Sequence, residues 1–235
     1  MILSLFSPLF LHFPLTFPLL GGPHSASTIE YHPAILAFTC LGFAVLQVNY
    51  LGSLGATHTS ALSLRGQIGT ADVSDVLLAT QKARLSLPTH LHSAPAILNG
   101  GSHGGFISLH LISRHSDIYS GAALRNPVVD ISSMATMSDI PDWCFEESSL
   151  LDIHTHMWQK EAMEKMFEVS PARYAHDIKR PLLLLIGMMD RRVPPAQGGA
   201  LAKYVRARGG EVEVRRYPKG GHALEGVEEE ADSFE

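Results

Sequence analysis

Leu98-Asn99-Gly100-Gly101-Ser102-His103-Gly104-Gly105-Phe106 carries the pattern G-x-S-x-G directly after a short apolar run at Ala94–Leu98 and before a helical pattern over 106–114. A serine on a sharp strand-to-helix turn is crowded by the residues two before and two after it. Gly100 and Gly104 leave both of those places free of side chains. The helix that follows would aim its N-terminus, and the amide of His103, at negative charge developing on an acyl oxygen. The chemistry is acyl transfer to a serine hydroxyl. Taken alone, the pattern reads equally as a glycine-rich turn.

A nucleophilic serine needs a base and an orienting acid, and a strand–serine–helix turn of this kind finds them in the chain order Ser, Asp, His. Asp190 lies just beyond the apolar run Pro181-Leu182-Leu183-Leu184-Leu185-Ile186-Gly187. His222 lies on Pro218-Lys219-Gly220-Gly221, just beyond Val212–Tyr217. Separately, Asp190 is a loop aspartate and His222 is one of 13 histidines. Three residues in the required order, each just past an apolar run, form a candidate triad of Ser102, Asp190 and His222. The pairs His90-Leu91-His92 and His154-Thr155-His156 have ligand-like spacing but no third ligand to complete a zinc site, so no metal and no cofactor are expected. Cys144 beside Trp143 reads as a packed thiol, and Glu228-Glu229-Glu230 as a solvated face.

These residues must be positioned by a framework, and short apolar runs alternate with helical patterns along the chain. Phe43–Val48, Ala94–Leu98, Gly121–Leu124 and Pro181–Gly187 read as strands, the first and last buried on both faces. Val212 and Val214 alternate with charge, as an edge strand would. Val73, Val76 and Leu77, residues 106–114, Trp158–Val169, and Leu201, Tyr204 and Val205 read as helices. Strand and helix in alternation predict an α/β fold, a mostly parallel sheet with helices on both faces.

Composition narrows the function classes. The 235 residues hold 18 Lys+Arg and 23 Asp+Glu, a net charge of −5, and are 46% hydrophobic and 17% charged. That is too apolar for disorder and too rich in glycine and proline for a coiled coil. Mild acidity without a basic patch argues against nucleic acid. Two cysteines, Cys40 and Cys144, make no disulfide framework and fit a reducing, cytoplasmic setting. Glu30 is the only charged residue before Arg65. Residues 1–20 lack the basic start and small-residue cleavage site of a signal peptide. Pro8, Pro14 and Pro18 interrupt them as a membrane span. An irregular apolar segment and no stable membrane association are expected.

The segments GGPHS at 21–25, GFAVLQVNY at 42–50, GGSHGGF at 100–106, RNPVV at 125–129, DIPDWC at 139–144, DRRVP at 190–194 and YPKGGHAL at 217–224 resemble the catalytic domain of the acylaminoacyl-peptidases (acylamino-acid-releasing enzymes), in the prolyl oligopeptidase family of serine peptidases. The resemblance runs from residue 21 to the C-terminus. It implies an α/β-hydrolase fold with Ser102, Asp190 and His222 as the triad, and the backbone amides of Gly22 and His103 as the oxyanion hole. Arg192 would hold a substrate carbonyl. The implied reaction releases an N-acylated, typically N-acetylated, amino acid from a blocked peptide through an acyl-enzyme. A homo-oligomer is compatible with it.

The departures shape further expectations. Family members carry a β-propeller ahead of this domain, and the chain, read as residues 21–235 of catalytic domain, has none. Leu20 stands where a histidine usually precedes the glycine pair, and Leu51 where N-Y-R-G-S has its arginine. The sheet is expected to be incomplete at both ends, because a C-terminal helix and the strands upstream of residue 21 are not seen in the sequence. Two competing functions follow: a non-specific esterase with an open site, or an inactive fragment that serves as a binding or dimerising partner.

Overall fold

The computed structural model describes residues 2–4, 15–19, 21–55, 58–89, 92–150 and 157–232. Its strands are β1 (Ile2–Ser4), β2 (Leu15–Leu19), β3 (Ala44–Gln47), β4 (Ala96–Gly101), β5 (Tyr119–Arg125), β6 (Leu182–Gly187) and β7 (Val212–Tyr217). They form one sheet in the order β1-β3-β2-β4-β5-β6-β7. Among the described residues only β1 runs antiparallel to its neighbour; every other pairing is parallel. The helices are α1 (Pro33–Cys40), α2 (His58–Leu62), α3 (Ala71–Ser86), α4 (Ser102–Arg114), α5 (Ile131–Ala135), α6 (Pro141–Glu147), α7 (Lys160–Glu168), α8 (Ala196–Ala207) and α9 (Val227–Asp232), with a 3₁₀ turn at Pro171–Asp177.

The apolar runs become the middle of the sheet for the reason their composition suggests. In β3, Ala44, Val45 and Leu46 are all buried, so both faces are covered. In β6, Leu182, Leu184 and Ile186 join the main core while Leu185 packs with Tyr217 and Leu224 on the opposite face. The charged alternation of β7 puts it at one edge of the sheet. Helix α4 lies in the centre of the main core, with Phe106, Ile107, Leu109, Leu111 and Ile112 essentially inaccessible. Each such side chain contributes roughly 1.5–3 kcal/mol. Its buried serines are satisfied internally: Ser108 Oγ donates to Gly104 O at 2.7 Å and Ser113 Oγ to Leu109 O at 2.7 Å. Helix α1 covers part of the other face, where Ala34, Ala37, Phe38 and Leu41 line a groove with Leu183 and Leu185. Helix α9 buries none of its residues.

The irregular segment expected over residues 1–20 is corrected in part. Ile2–Ser4 forms an outer strand and Leu15–Leu19 enters the sheet between β3 and β4. The prolines do not prevent this, because Pro18 falls beyond the last β3 pairing, Thr16↔Val45, and is paired only with β4. A strand with one open side is where a sheet tolerates a missing N–H. The consequence for the site is direct. Leu19 is in register with Gly100, so Gly21 and Gly22 emerge beside Gly101 and Ser102. No helix among the described residues is long and apolar enough to cross a membrane.

One core histidine gives the fold an acid limit. His110, on α4, is 1% exposed, donates through one ring nitrogen to Val169 O at 3.0 Å, and packs against Phe106 and Tyr174. Burial first of all, with Arg114 and His103 adding and Asp72 and the Val169 carbonyl opposing, brings its pKa down to about 4. The unfolded chain binds this proton near the ordinary value of about 6.5. Stability is therefore complete above that value and is lost as pH falls from there towards 4. His115, shifted down by its own burial, acts in the same direction. Urea midpoints measured from pH 7 to pH 4 are expected to fall by up to roughly 3 kcal/mol equivalent through His110, and His110→Gln should flatten that slope.

Candidate active site

Ser102 is the first residue of α4 and sits at φ 53°, in the left-handed region that a serine adopts only when its surroundings impose it. The imposition comes from close approach. A Cβ at Gly100 would lie 2.5 Å from Gly104 O, and one at Gly105 would lie 2.6 Å from Pro127 Cβ. Strand and helix can therefore meet at this angle only with glycine at those places. Gly100 behaves as its position in the pattern requires, and Gly105 carries a constraint that the pattern does not reveal.

His222 Nδ1 lies 2.7 Å from Asp190 Oδ2. The Asp190 carboxylate is wholly buried, and its other oxygen accepts the amides of Arg192 at 2.8 Å and Val193 at 3.0 Å. With Nδ1 committed to Asp190, Nε2 is the nitrogen of His222 left to act as a base. His222 and Ser102 line the same cavity, of about 420 Å³, together with Gly22, His103 and Arg192. Val128, Met134, Ile140 and Trp143 give it an apolar wall. Asp190 stands behind His222 rather than in the cavity. Arg192 reaches Asp139 at 3.4 Å, and the two segments are joined again by Ser138 Oγ donating to Arg192 O at 2.7 Å.

The amide of His103, expected as an oxyanion donor, donates in this structure to Gly21 O at 3.1 Å. The register of β2 against β4 explains it, since it carries the Gly21 carbonyl over the turn at Ser102. Gly22 lines the cavity beside it, and its carbonyl accepts Ser25 Oγ at 2.7 Å.

Asn126 is a site residue that the sequence reading did not single out, although RNPVV contains it. It is 3% exposed and left-handed at φ 42°. Its side-chain oxygen accepts the Gly187 amide at 2.8 Å, and its NH₂ donates to Gly221 O at 3.1 Å and His222 O at 2.9 Å. One amide side chain thus fastens the end of the strand leading to Asp190 and the loop bearing His222. Replacing it with aspartate removes both donors and sets a carboxylate against two carbonyls. Asn126→Asp is expected to cost about 2 kcal/mol or more of stability and to lower kcat more than it raises KM, checked by urea unfolding and steady-state kinetics.

Of the remaining sequence readings, Cys144 is a packed thiol. It is fully inaccessible, and burial pushes its pKa up to about 12. Cys40 is free and exposed. His90, Leu91 and His154-Thr155-His156 lie outside the described residues.

The profile of the prolyl oligopeptidase family matches residues 30–235. The acylamino-acid-releasing enzymes of Rattus norvegicus and Homo sapiens are each 42% identical to this chain over 216 residues, 91% of it and 29% of theirs. That of Arabidopsis thaliana is 36% identical over 222 residues, 94% of this chain and 29% of its own. The chain thus spans about three-tenths of the length of these relatives. Among solved structures, the acylaminoacyl peptidase of Pyrococcus horikoshii superposes with a TM-score of 0.80 at 23% identity, over 90% of this chain and 33% of that one. An acylaminoacyl peptidase in complex with Z-Gly-Gly-Phe-chloromethyl ketone gives 0.86 at 21% identity, over 98% and 37%. At such identities the likeness speaks for the fold, an α/β-hydrolase.

Proposed function

Since the chain belongs to the prolyl oligopeptidase family, we propose that it is a serine hydrolase that cleaves N-acylated peptides and releases an N-acylamino acid. The observation that carries this is His222, held by the buried Asp190, opening onto the same cavity as a left-handed Ser102. Ser102 Oγ attacks the carbonyl of the acylated residue while His222 Nε2 takes its proton. Asp190 keeps the His222 proton on Nδ1 and steadies the imidazolium. The carbonyl oxygen, now negative, displaces Gly21 O from the His103 amide and meets the Gly22 amide as well. His222 then protonates the departing amine, and water resolves the acyl-enzyme by the same steps in reverse order. Arg192 supplies two or more N–H donors for the substrate's acyl carbonyl, and the wall of Val128, Met134, Ile140 and Trp143 suits an uncharged side chain. The relatives' own names supply the acylated class of substrate. Two free cysteines are in keeping with a cytoplasmic setting.

A fluorophosphonate probe should label the folded protein at Ser102, and the protein should turn over acetyl-alanine p-nitroanilide. Labelling together with cleavage of a p-nitrophenyl ester but not of the anilide would replace this reading with a general esterase. Absence of labelling would remove both enzyme readings and leave that of a binding partner.

A further inference from the structure

Two buried carboxylates outside the triad stand beneath the two segments that carry the oxyanion amides. On one side, Asp72 at the start of α3 is inaccessible and its Oδ2 lies 2.9 Å from Nε2 of His103. Its other oxygen caps the amide of Val73 at 2.9 Å. The His103 ring is stacked on Phe106 at 5.1 Å and meets the edge of Trp143 at 5.8 Å. On the other side, Glu147 at the end of α6 is 1% exposed and its Oε1 lies 2.7 Å from Nε2 of His24, while Oε2 is buried with no hydrogen-bond partner. His24 is left-handed at φ 61° and its amide donates to Gly52 O at 2.8 Å. Only Pro23, whose ring fixes its own backbone angle, separates it from Gly22.

The cavity is lined by His24 and His103 but by neither acid. Asp72 and Glu147 can therefore reach the reaction only through their histidines. Stability does not explain them, since buried charged groups cost free energy to desolvate and apolar replacements of like volume are often as stable. We propose that Asp72 and Glu147 are positioning residues of the oxyanion site, Asp72 fixing His103 and Glu147 fixing, through His24, the loop that presents Gly22. This rests on the Gly22 and His103 amides being the oxyanion donors. Each acyl-transfer element then has a histidine seated on a buried carboxylate: His222 on Asp190, His103 on Asp72, His24 on Glu147.

The test is a double-mutant cycle in the full chain with Glu147→Gln and His24→Ala, and a separate Asp72→Asn. Kinetics are read on acetyl-alanine p-nitroanilide and labelling on a fluorophosphonate. Each single change is expected to lower kcat by 10-fold or more, towards about 10²-fold, with KM within about two-fold. The double variant should be no worse than the poorer single one, because the pair acts as a unit. Additive losses, losses that fall on KM, or a lowered melting temperature with kcat unchanged would overturn the proposal. His24 is 39% exposed in its side chain, so His24→Ala decides the Glu147 half of the proposal even if Glu147→Gln fails to fold, and His103→Gln decides the Asp72 half in the same way by the fall in kcat if Asp72→Asn fails to fold. If the wild-type protein is not labelled at Ser102, the proposed function fails and takes this inference with it. If it is labelled and turns over while the variants match it, only this inference fails.

Discussion

Ser102→Ala is expected to lower kcat by about 10⁶-fold and to abolish fluorophosphonate labelling while leaving the fold intact. The size follows from the division of labour at the site. In the proposed mechanism there is no acyl-enzyme without Oγ, and neither His222 nor the oxyanion donors would supply an alternative nucleophile held at the same place. The fold is expected to survive because alanine holds the left-handed φ of 53° no better and no worse than serine, and the glycines that make room for the turn are untouched. Urea midpoints should agree with the parent protein to within about 0.5 kcal/mol. Turnover retained within 100-fold would place the nucleophile elsewhere.

Asp190→Asn is expected to cost about 10⁴-fold in kcat, and the reason lies in what each carboxylate oxygen does. Oδ1 accepts two backbone amides, from Arg192 and Val193, and a carboxamide must keep its single oxygen there. Its NH₂ group then faces His222 Nδ1, where a donor forces that nitrogen to accept. The imidazole proton moves to Nε2, and the base that should take the Ser102 proton no longer can. Since Asp190 is wholly buried, no water can restore the arrangement. The variant should still be labelled at Ser102, slowly, which separates it from Ser102→Ala. A loss of less than ten-fold would show that His222 does not depend on Asp190 for its tautomer.

Much of this was legible in the residues. β3 and β6 could be read because strands covered on both faces are apolar at nearly every position, and β7 because an edge strand alternates. The order Ser102, Asp190, His222 was readable because each follows a strand that composition alone reveals. Strand β2 was hidden by Pro18, whose tolerance depends on a pairing that stops at Thr16 and so on the partner strand rather than the local sequence. Asn126, Asp72 and Glu147 were hidden for another reason. Their partners lie 96, 31 and 123 residues away in the chain, and nothing in RNPVV, in an aspartate at a helix start or in a Glu-Glu pair distinguishes a buried anchor from a solvated charge. The contact on the His103 amide was hidden similarly, since the Gly21 carbonyl that meets it follows the strand that Pro18 concealed.

As the proposed oxyanion donor, that amide has a consequence for selectivity. In the resting molecule it is occupied by the oxygen of Gly21, a peptide carbonyl chemically equivalent to the one in a substrate. Entry of a substrate oxygen is therefore an exchange of like for like, and gives no gain in the ground state. Once the incoming oxygen becomes an anion the exchange is unequal, because a charged acceptor makes a hydrogen bond roughly twice as strong as a neutral one. The glycine carbonyl acts as a reference against which only the transition state wins, so binding energy is spent where it raises the rate and not where it would merely hold the substrate.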